Sequence, residues 1–251
     1  MSQSVSAVGP TEPYIVYLPG IEGSGALSTR FLHQAERYYQ VTPLHYPGHA
    51  RLTLEEMADG CVHALAEEGR SNAIWLGDSF GSVLALMIAQ RHPHAVQGLI
   101  LAGGFSKAHN PTRLLLASKI WDASPEKWKK SYLRRRLGRL VRKYPSRFTR
   151  DMVEEFLSNA QLDYVSWRLR LLAAFDCRST LHRIGVPVLY LGGEEDSLVD
   201  TQEEARVLRE HVSAIRTFLF PGCGHFVLGE RAAESLELIN SFLPLGKRVA
   251  A

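Results

Sequence analysis

The segment GDSFG, at residues 77–81, places one serine between two glycines, where one apolar run ends and the next begins. The residues before it predict a strand, and those after it predict a helix. Glycine on both sides permits a turn too tight for a side chain, so the hydroxyl of Ser79 would project alone. Such a hydroxyl becomes a nucleophile beside a base that an acid orients. The alternative is an ordinary strand-to-helix turn with an incidental serine.

Candidates for the base and the acid follow later in the chain. His225 lies in the glycine-rich turn PGCGHF after the predicted strand IRTFLF, and Asp196 lies in GGEEDSLVD after the predicted strand VPVLYLGG. The carboxyl ends of parallel strands meet at one edge of a sheet, so the three side chains can converge there. A helix cap or a solvated loop acid is the other interpretation of Asp196, and Asp200 or Glu195 could replace it as the acid.

An acyl-transfer site also requires amide donors for the oxyanion that forms during attack. The N–H of Phe80 directly follows the nucleophile at the start of the predicted helix. A second N–H is expected from Ile21, in the loop LPGIEGSG after the first predicted strand, where Gly20 lets the chain pass close to a substrate. The same loop could be interpreted as a phosphate cradle, but it lacks the lysine of a P-loop and the spacing of a dinucleotide-binding loop.

Strands and helices alternate along most of the chain. Strands are predicted for YIVYL, YQVTPL, NAIWLG, VQGLILAGG, VPVLYLGG and IRTFLF, with helices between them. The first helix is predicted from Ala26 to about Tyr38, and the last from about Phe226 to Phe242. This order predicts an α/β fold in which helices cover both faces of a parallel sheet. Between residues 107 and 178 the pattern changes to successive helices rich in Trp, Leu and Arg, with Pro111, Pro125 and Pro145 at expected helix starts. This segment is predicted to be an insertion.

Composition and charge narrow the function classes. The chain has 251 residues, of which 45% are hydrophobic, so it can bury a large core. The net charge is +3, but residues 107–178 hold 17 Lys and Arg against 7 Asp and Glu, so a basic segment is joined to an acidic body. The N-terminal segment MSQSVSAVGPTEP lacks the charged and apolar regions of a signal peptide, and no apolar run is long enough to span a membrane. We therefore expect a cytoplasmic protein without membrane association.

The cysteines give no sign of a metal or redox site. Cys61, Cys177 and Cys223 are widely separated, and the sequence holds no C-x-x-C pair and no H-E-x-x-H pair. Reduced thiols are the simplest expectation.

Together, GDSFGS, GGEEDSLVD and GCGHF, in this order and preceded by LPGIEGSG, resemble the α/β-hydrolase superfamily along essentially the whole chain. The resemblance implies an α/β-hydrolase core at residues 1–106 and 179–251, with a helical cap, or lid, at residues 107–178. Few residues precede the first predicted strand, so the mostly parallel sheet is expected to have about six strands.

The resemblance also assigns roles to residues. It implies a nucleophile elbow at Ser79, with Asp196 as the acid and His225 as the base. A serine nucleophile implies an acyl-enzyme, whereas haloalkane dehalogenases and epoxide hydrolases of this superfamily attack with a carboxylate. The expected activity is that of a serine hydrolase that cleaves a carboxylic ester or thioester and requires no cofactor. A lyase or carbon–carbon bond-cleaving enzyme with the same triad, or a ligand-binding member with little turnover, are the alternatives.

The chain departs from the family's pattern at several positions. Pro19-Gly20 stands where most members have His-Gly, and PGIEGS looks more like the acyl-chain thioesterases. Thioesterases of the fatty-acid synthase type carry their acid after the sixth strand, where this chain has Gly103 and Gly104, so stand-alone thioesterases and small esterases are the closer resemblance. In the segment around YPGHA, His45 replaces a common Asp and Ala50 a common Gly.

The basic segment KWKKSYLRRRLGRLVRKYPSRFTR has two main interpretations. As a solvated helix face, it would use its arginine stems to cover apolar surface. As a steering surface, it would attract an anionic substrate, such as a thioester of CoA or of a carrier protein, or a dicarboxylate monoester. Nucleic acid is not an expected partner, because no nucleic-acid-binding fold accompanies the charge. Substrate-binding residues are expected at Gly20, Trp121, Phe156 and Trp167, although the three aromatic residues could instead pack the cap onto the core.

Overall fold

Six strands form one parallel sheet in the order β2-β1-β3-β4-β5-β6. The structure, a computed structural model, describes residues 13–47 and 50–243. The strands are β1 (Tyr14–Leu18), β2 (Gln40–Pro43), β3 (Ala73–Asp78), β4 (Val96–Ala102), β5 (Val188–Gly193) and β6 (Ile215–Phe220). Every strand pairing in the sheet is parallel, so the prediction of a mostly parallel sheet of about six strands is confirmed.

The burial of each strand follows from its place in the sheet. Strands β1, β3, β4 and β5 are buried almost throughout, which agrees with their nearly continuous apolar sequences. Strand β6 lies at the edge of the sheet, and its residues alternate between exposed and partly buried positions before Phe220. The central strands therefore form a rigid layer whose carboxyl ends can hold side chains in fixed positions.

Helices cover both faces of the sheet, and two apolar clusters fill the space between the layers. The helices are α1 (Thr29–Ala35), α2 (Leu54–Glu67), α3 (Phe80–Arg91), α4 (Pro111–Ala123), α5 (Glu126–Lys143), α6 (Arg150–Asn159), α7 (Leu162–Ala174), α8 (Thr201–His211), α9 (Val227–Glu230) and α10 (Ala232–Phe242). The first helix was expected to run from residue 26 to about residue 38, but a 3-10 turn over Ala26–Ser28 replaces its start and α1 ends at Ala35. The chain must turn there to enter β2.

Two other expectations about helices are corrected. The last helix, expected over about residues 226–242, is divided at Arg231, whose backbone φ of −133° leaves the helical region. Pro145 was expected near a helix start, but it lies in the turn that follows α5, and α6 begins at Arg150. Thr149 caps α6 by accepting a hydrogen bond from the Met152 amide at 3.2 Å, because a hydroxyl at this position satisfies an amide that has no partner within the helix.

Helices α4–α7 all lie between β4 and β5, within residues 107–178, and we call this segment the helical insertion. Its two ends are joined at the core, because the Cys177 amide donates to the Ser106 carbonyl at 2.9 Å. The buried Glu204 of α8 accepts hydrogen bonds from the amide and the hydroxyl of Ser106, at 2.8 and 3.1 Å. On the other side, the Trp167 indole donates to the Leu52 carbonyl at 2.9 Å. The insertion is thus attached to the core at its base and along α7.

Some expectations concern residues that the structure does not describe. The N-terminal residues 1–12, used above to assess a signal peptide, lie outside the described residues, as do Gly48 and His49 of the YPGHA loop. No helix within residues 13–47 and 50–243 is long and apolar enough to cross a membrane. Cys61, Cys177 and Cys223 are all buried, and none forms a disulfide bond.

Candidate active site

Ser79 lies in the turn between β3 and α3, with an unusual backbone conformation of φ 53° and ψ −110°. No other non-glycine residue among those described has a positive φ. Close contacts require the flanking glycines: a Cβ at Gly77 would lie 2.4 Å from the backbone of Gly81, and a Cβ at Gly81 would lie 2.1 Å from the Leu18 carbonyl oxygen. The Ser79 amide donates to the Ala102 carbonyl at 2.7 Å, which ties the turn to the end of β4. The turn presents the Ser79 hydroxyl at the carboxyl edge of the sheet, at a backbone cost of about 1–3 kcal/mol.

A continuous line of hydrogen bonds joins three side chains at this edge. Ser79 Oγ lies 2.8 Å from His225 Nε2, and His225 Nδ1 lies 2.7 Å from Asp196 Oδ2. The Asp196 side chain is fully buried, and the second oxygen of its carboxylate accepts the amides of Leu198 and Val199 at 2.7 and 3.1 Å. The carboxylate is therefore fixed, and it orients the imidazole so that Nε2 faces the hydroxyl.

The loop that carries His225 packs tightly against the end of β5. A Cβ at Gly193 would lie 2.1 Å from the Gly224 carbonyl oxygen, so only glycine permits this approach. The buried Glu230 of α9 accepts hydrogen bonds from the amides of Gly224 and Phe226, at 2.9 and 3.3 Å. The short helix α9 thus places the Glu230 carboxylate against the loop that carries His225.

The electrostatic surroundings favour a charged imidazole at His225. Burial by itself lowers the pKa of His225, but the adjacent Asp196 carboxylate opposes this effect, with smaller contributions from Asp78 and Glu230. The net result is a pKa above the ordinary value for histidine. Near neutral pH, the imidazole can therefore accept a proton from Ser79 and hold it as a stabilised cation.

The two other acidic candidates in the same loop have different partners. Asp200 caps α8, because its Oδ1 accepts the Glu203 amide at 3.1 Å. Glu195 is exposed and forms an ion pair with Lys143 of the helical insertion, with an N–O distance of 2.8 Å. Of the three carboxylates, Asp196 is the one that contacts His225.

The amides of Ile21 and Phe80 have no hydrogen-bond acceptor among the described residues. Phe80 is the first residue of α3, where helix amides point outwards and the helix dipole favours negative charge. Ile21 lies in the loop that follows β1, residues 19–25, which we call the β1 loop. The Gly20 carbonyl accepts the Gly23 amide at 2.9 Å, so this loop contains a tight turn. Both amides remain available for a ligand.

Two partly buried acids near the elbow, Asp78 and Glu22, were not predicted from the sequence. Asp78, directly before Ser79, accepts hydrogen bonds from the Ser28 hydroxyl at 2.7 Å and from the Tyr17 hydroxyl at 3.1 Å. Glu22 folds back beneath the β1 loop, where its carboxylate accepts the Gly25 amide at 3.0 Å. Burial raises the pKa of both carboxyl groups. The sequence signal that could have pointed to Asp78 is an acid beside glycine at the end of an apolar strand, whereas Glu22 lies four residues beyond β1.

The residues expected to bind substrate lie mostly in packed positions. Trp121 donates from its indole to the Leu162 carbonyl at 2.9 Å, and the apolar cluster around it also contains Ile21 of the β1 loop. Phe156 belongs to a second cluster that contains Phe226, the neighbour of His225. Trp167 lines a narrow cavity with Tyr46, Tyr164 and Arg168. Gly20 packs against Glu22, whose carboxylate oxygen would lie 2.7 Å from a Cβ at Gly20.

Cavity size alone does not mark this site. A cavity of about 360 Å³ lies between α1 and α6, lined by residues such as Arg30, His33 and Met152, and it contains no triad residue. The cavity beside Tyr46 and Trp167 has only about 10 Å³, roughly the space for one water molecule. Neither cavity is lined by Ser79, Asp196 or His225. Among the described residues, no group of three or more His, Cys, Asp or Glu side chains is arranged to hold a metal ion.

Comparison with known proteins agrees with this geometry. The model of the family described as "Serine aminopeptidase, S33" matches residues 50–232. The chain belongs to this family of α/β hydrolases. The matched region contains Ser79, Asp196 and His225, whereas the β1 loop precedes it. Membership of the family does not by itself define the substrate.

Individual relatives of this α/β hydrolase are distant. A pimeloyl-[acyl-carrier protein] methyl ester esterase from Sodalis glossinidius (strain morsitans) is 26% identical over 71% of this chain and 70% of its own. A 2-hydroxymuconate semialdehyde hydrolase from Pseudomonas sp. (strain CF600) is 24% identical over 78% of this chain and 71% of its own. The crystal structure of the enol-lactonase from Burkholderia xenovorans LB400 superposes with a TM-score of 0.79 at 16% identity, over 93% of this chain and 92% of that chain. At this identity, the superposition supports the fold.

Proposed function

We propose that this α/β hydrolase cleaves a carboxylic ester or thioester through an acyl-enzyme formed on Ser79. The hydrogen-bonded line from Ser79 through His225 to Asp196 is the observation that carries the proposal. The strained backbone at Ser79 and the free amides beside it support the same role, because an ordinary turn would need neither. Esterases among the relatives agree with this reaction class.

The proposed reaction begins when His225 Nε2 takes the proton of the Ser79 hydroxyl. Ser79 Oγ attacks the carbonyl carbon, and the amides of Ile21 and Phe80 donate to the oxyanion, each contributing roughly 3 kcal/mol. The tetrahedral intermediate then expels an alcohol or a thiol, which receives the proton from His225. Water attacks the acyl-enzyme in the same way, with His225 as the base, and releases the carboxylic acid and the serine.

The charge of the helical insertion favours an anionic substrate or carrier. Helix α5 presents exposed cations that form no ion pair with a described residue; these are Lys127, Arg135, Arg136, Arg139 and Arg142. The end of α5 lies against the loop of the triad acid through the ion pair of Lys143 and Glu195. A phosphopantetheine, CoA or carrier-protein thioester would be drawn toward such a surface. A carrier-protein substrate also appears in the name of the Sodalis relative.

Hydrolysis of short p-nitrophenyl esters tests the reaction class. We expect a burst of p-nitrophenol, equal in amount to the enzyme, followed by steady turnover. Ser79→Ala should abolish both phases, whereas Ser158→Ala on the exposed face of α6 should change neither. A wild-type protein that turns over no ester and no thioester would contradict the proposal and would favour a lyase, a carbon–carbon bond-cleaving enzyme or a ligand-binding protein with the same fold.

A further inference from the structure

The β1 loop is held by hydrogen bonds to its successive carbonyl groups. The Pro19 carbonyl accepts the Tyr46 hydroxyl at 2.6 Å, and the Gly20 carbonyl accepts the Gly23 amide at 2.9 Å. The next two acceptors bind the helical insertion instead of the core. Arg168 Nη1 donates to the Ile21 carbonyl at 2.8 Å, and the Gln161 amide donates to the Glu22 carbonyl at 2.9 Å.

These contacts control the direction of the Ile21 amide. In a trans peptide, the N–H of Ile21 points opposite to the carbonyl of Gly20, so the turn that fixes this carbonyl also aims the amide. The following peptide plane begins at the Ile21 carbonyl, and Arg168 holds it. With both planes fixed, the two backbone dihedral angles of Ile21 have little freedom. Without Arg168, the Ile21 carbonyl would lose the hydrogen bond that it accepts from the helical insertion.

Arg168 is built into the structure as a buried cation. Its side chain is 3% exposed, and its guanidinium lies 4.8 Å from the centre of the Tyr46 ring. It also donates to the Gln161 side-chain oxygen, and the Gln161 side-chain nitrogen donates to the Tyr46 carbonyl at 2.7 Å. A buried guanidinium is costly unless its donors are satisfied and negative charge lies near it. Burial lowers the pKa of Arg168, and the nearby Tyr46 and Glu22 oppose this effect.

The packing between the insertion and the β1 loop is equally close. A Cβ at Gly23 would lie 2.8 Å from the Gln161 side-chain oxygen and 3.0 Å from Arg168 Nη1. Gly23 has no side chain, and the Arg168 guanidinium occupies the space beside it. The insertion and the loop therefore fit as one unit, although Arg168 and Ile21 are 147 residues apart in the sequence.

We propose that Arg168 is a positioning residue that holds the β1 loop in the conformation that aims the Ile21 amide at the oxyanion, so that the oxyanion site is complete only when the helical insertion is seated. This inference rests on the proposed function. In this role Arg168 acts through the loop instead of contacting the substrate, since its Nη1 donates to the Ile21 carbonyl and its Nη2 to the Gln161 side-chain oxygen. Opening of the insertion would then weaken oxyanion stabilisation at the same time as it admits substrate.

Arg168→Met tests the role, with Arg170→Met as the matched control on the same helix. Arg170 pairs with Asp122 inside the insertion and does not contact the β1 loop. A misaligned oxyanion donor should lower kcat of Arg168→Met by roughly 10- to 100-fold, with KM within about threefold of wild type. Arg170→Met should keep both constants. Methylguanidinium added to Arg168→Met should restore part of the lost kcat, and Arg168→Lys should be intermediate.

Hydrogen exchange of the loop gives a readout that does not depend on activity. The amides of Gly23 and Gly25 are hydrogen-bonded within the loop, and their exchange should become at least about tenfold faster in Arg168→Met than in Arg170→Met. If Arg168→Met does not fold, the same kinetic and hydrogen-exchange measurements are made on Gln161→Met and Arg168→Lys.

The outcomes separate this inference from the proposed function. An unchanged kcat in Arg168→Met, or a loss confined to KM, would overturn the positioning role, and the second result would make Arg168 a substrate-binding residue. Unchanged exchange at Gly23 and Gly25 would overturn it even if the wild-type protein hydrolysed no ester. If exchange is faster in Arg168→Met but the wild-type protein hydrolyses no ester or thioester, the result would contradict the proposed function only. The role of Arg168 in holding the β1 loop would then still be supported.

Discussion

The carboxyl edge of the sheet and the outer surface of the helical insertion tolerate change very differently. At the edge, a methyl group on Gly81 would lie 2.1 Å from the Leu18 carbonyl oxygen. On α5 of the insertion, a methyl group on Gly138 would meet only one arginine nitrogen, at 3.8 Å. At the carboxyl edge of the sheet, backbone atoms pack directly against other backbone atoms. Helix α5, in contrast, presents charged side chains to solvent. The proposed chemistry therefore depends on the carboxyl edge, whereas the surface of α5 can vary in sequence while a few buried residues of the insertion contact the site.

Removing the charge of the triad acid should have the largest effect. Asp196→Asn keeps the shape of the side chain but no longer orients or stabilises a protonated His225, so we expect kcat to fall by roughly 10⁴-fold. Asp200→Asn, four residues later, should leave kcat within about twofold, because asparagine also caps a helix well. Steady-state hydrolysis of a p-nitrophenyl ester measures both variants. Equal losses would mean that the loop as a whole, and not Asp196, is needed.

Adding one methyl group to a glycine in each region compares the two regions directly. Gly81→Ala should reduce the free energy of unfolding by at least about 3 kcal/mol, because the new methyl group meets backbone that cannot move away. Gly138→Ala should increase it by about 0.5–1 kcal/mol, because alanine favours a helix interior. Urea unfolding followed by circular dichroism measures both. Similar destabilisation by the two substitutions would show that the insertion is as tightly constrained as the sheet edge.

The stability of the contact between Glu204 of α8 and Ser106, at the base of the helical insertion, should depend on pH. Burial of Glu204 raises its pKa from 4.5 to about 7, although its hydrogen bonds with Ser106 oppose the shift. Between these pH values, the folded protein binds more protons at Glu204 than the unfolded chain, so this residue's contribution to stability falls as pH rises, by on the order of 3 kcal/mol at most.

Glu204→Gln removes this titration and isolates its effect. The variant should be more stable than wild type at about pH 8, and the difference should shrink towards about pH 5. Thermal unfolding across this range makes the measurement, and Glu237→Gln, at an exposed position on α10, is the control. A difference that stays constant with pH would contradict a pKa near 7 for Glu204.

The exposed charge of the insertion should give the smallest effect. Replacing Arg135, Arg136 and Arg139 by glutamine should lower kcat/KM for an acyl-CoA several-fold at about 0.05 M salt and very little at about 0.5 M salt. Hydrolysis of a neutral p-nitrophenyl ester should not change in either condition. A loss for both substrates, or a loss independent of salt, would show that these arginines do not act by electrostatic steering.

The sequence predicted the sheet edge well because its signals are local. Apolar runs bounded by glycine or proline identified β1 and β6 with the residue bounds that the structure has. The order of the three motifs then indicated that Ser79, Asp196 and His225 each follow a strand, which the structure identifies as β3, β5 and β6, and parallel strands place their carboxyl ends together. The hydrogen bonds between them agree with that expectation.

The contacts of the insertion could not be predicted in the same way. Arg168 is one of many basic residues of the helical insertion, most of which are exposed, and its local sequence does not show that it is buried. Its partner Ile21 lies far away in the chain, so their contact depends on how α7 docks on the β1 loop. The division of the last helix at Arg231 was also missed, because it reflects the contact of Glu230 with the histidine loop and not a helix-breaking residue.

Mass spectrometry after reaction with a fluorophosphonate tests the nucleophile most directly. The Ser79 hydroxyl should displace fluoride, pass its proton to His225, and leave one phosphonyl group on the peptide that contains residues 77–81. Labelling of His225→Ala should be at least about 100-fold slower, because the hydroxyl would lose its base. A phosphonyl group on a different serine, or labelling of His225→Ala at the wild-type rate, would contradict the assignment of Ser79 as a nucleophile activated by His225.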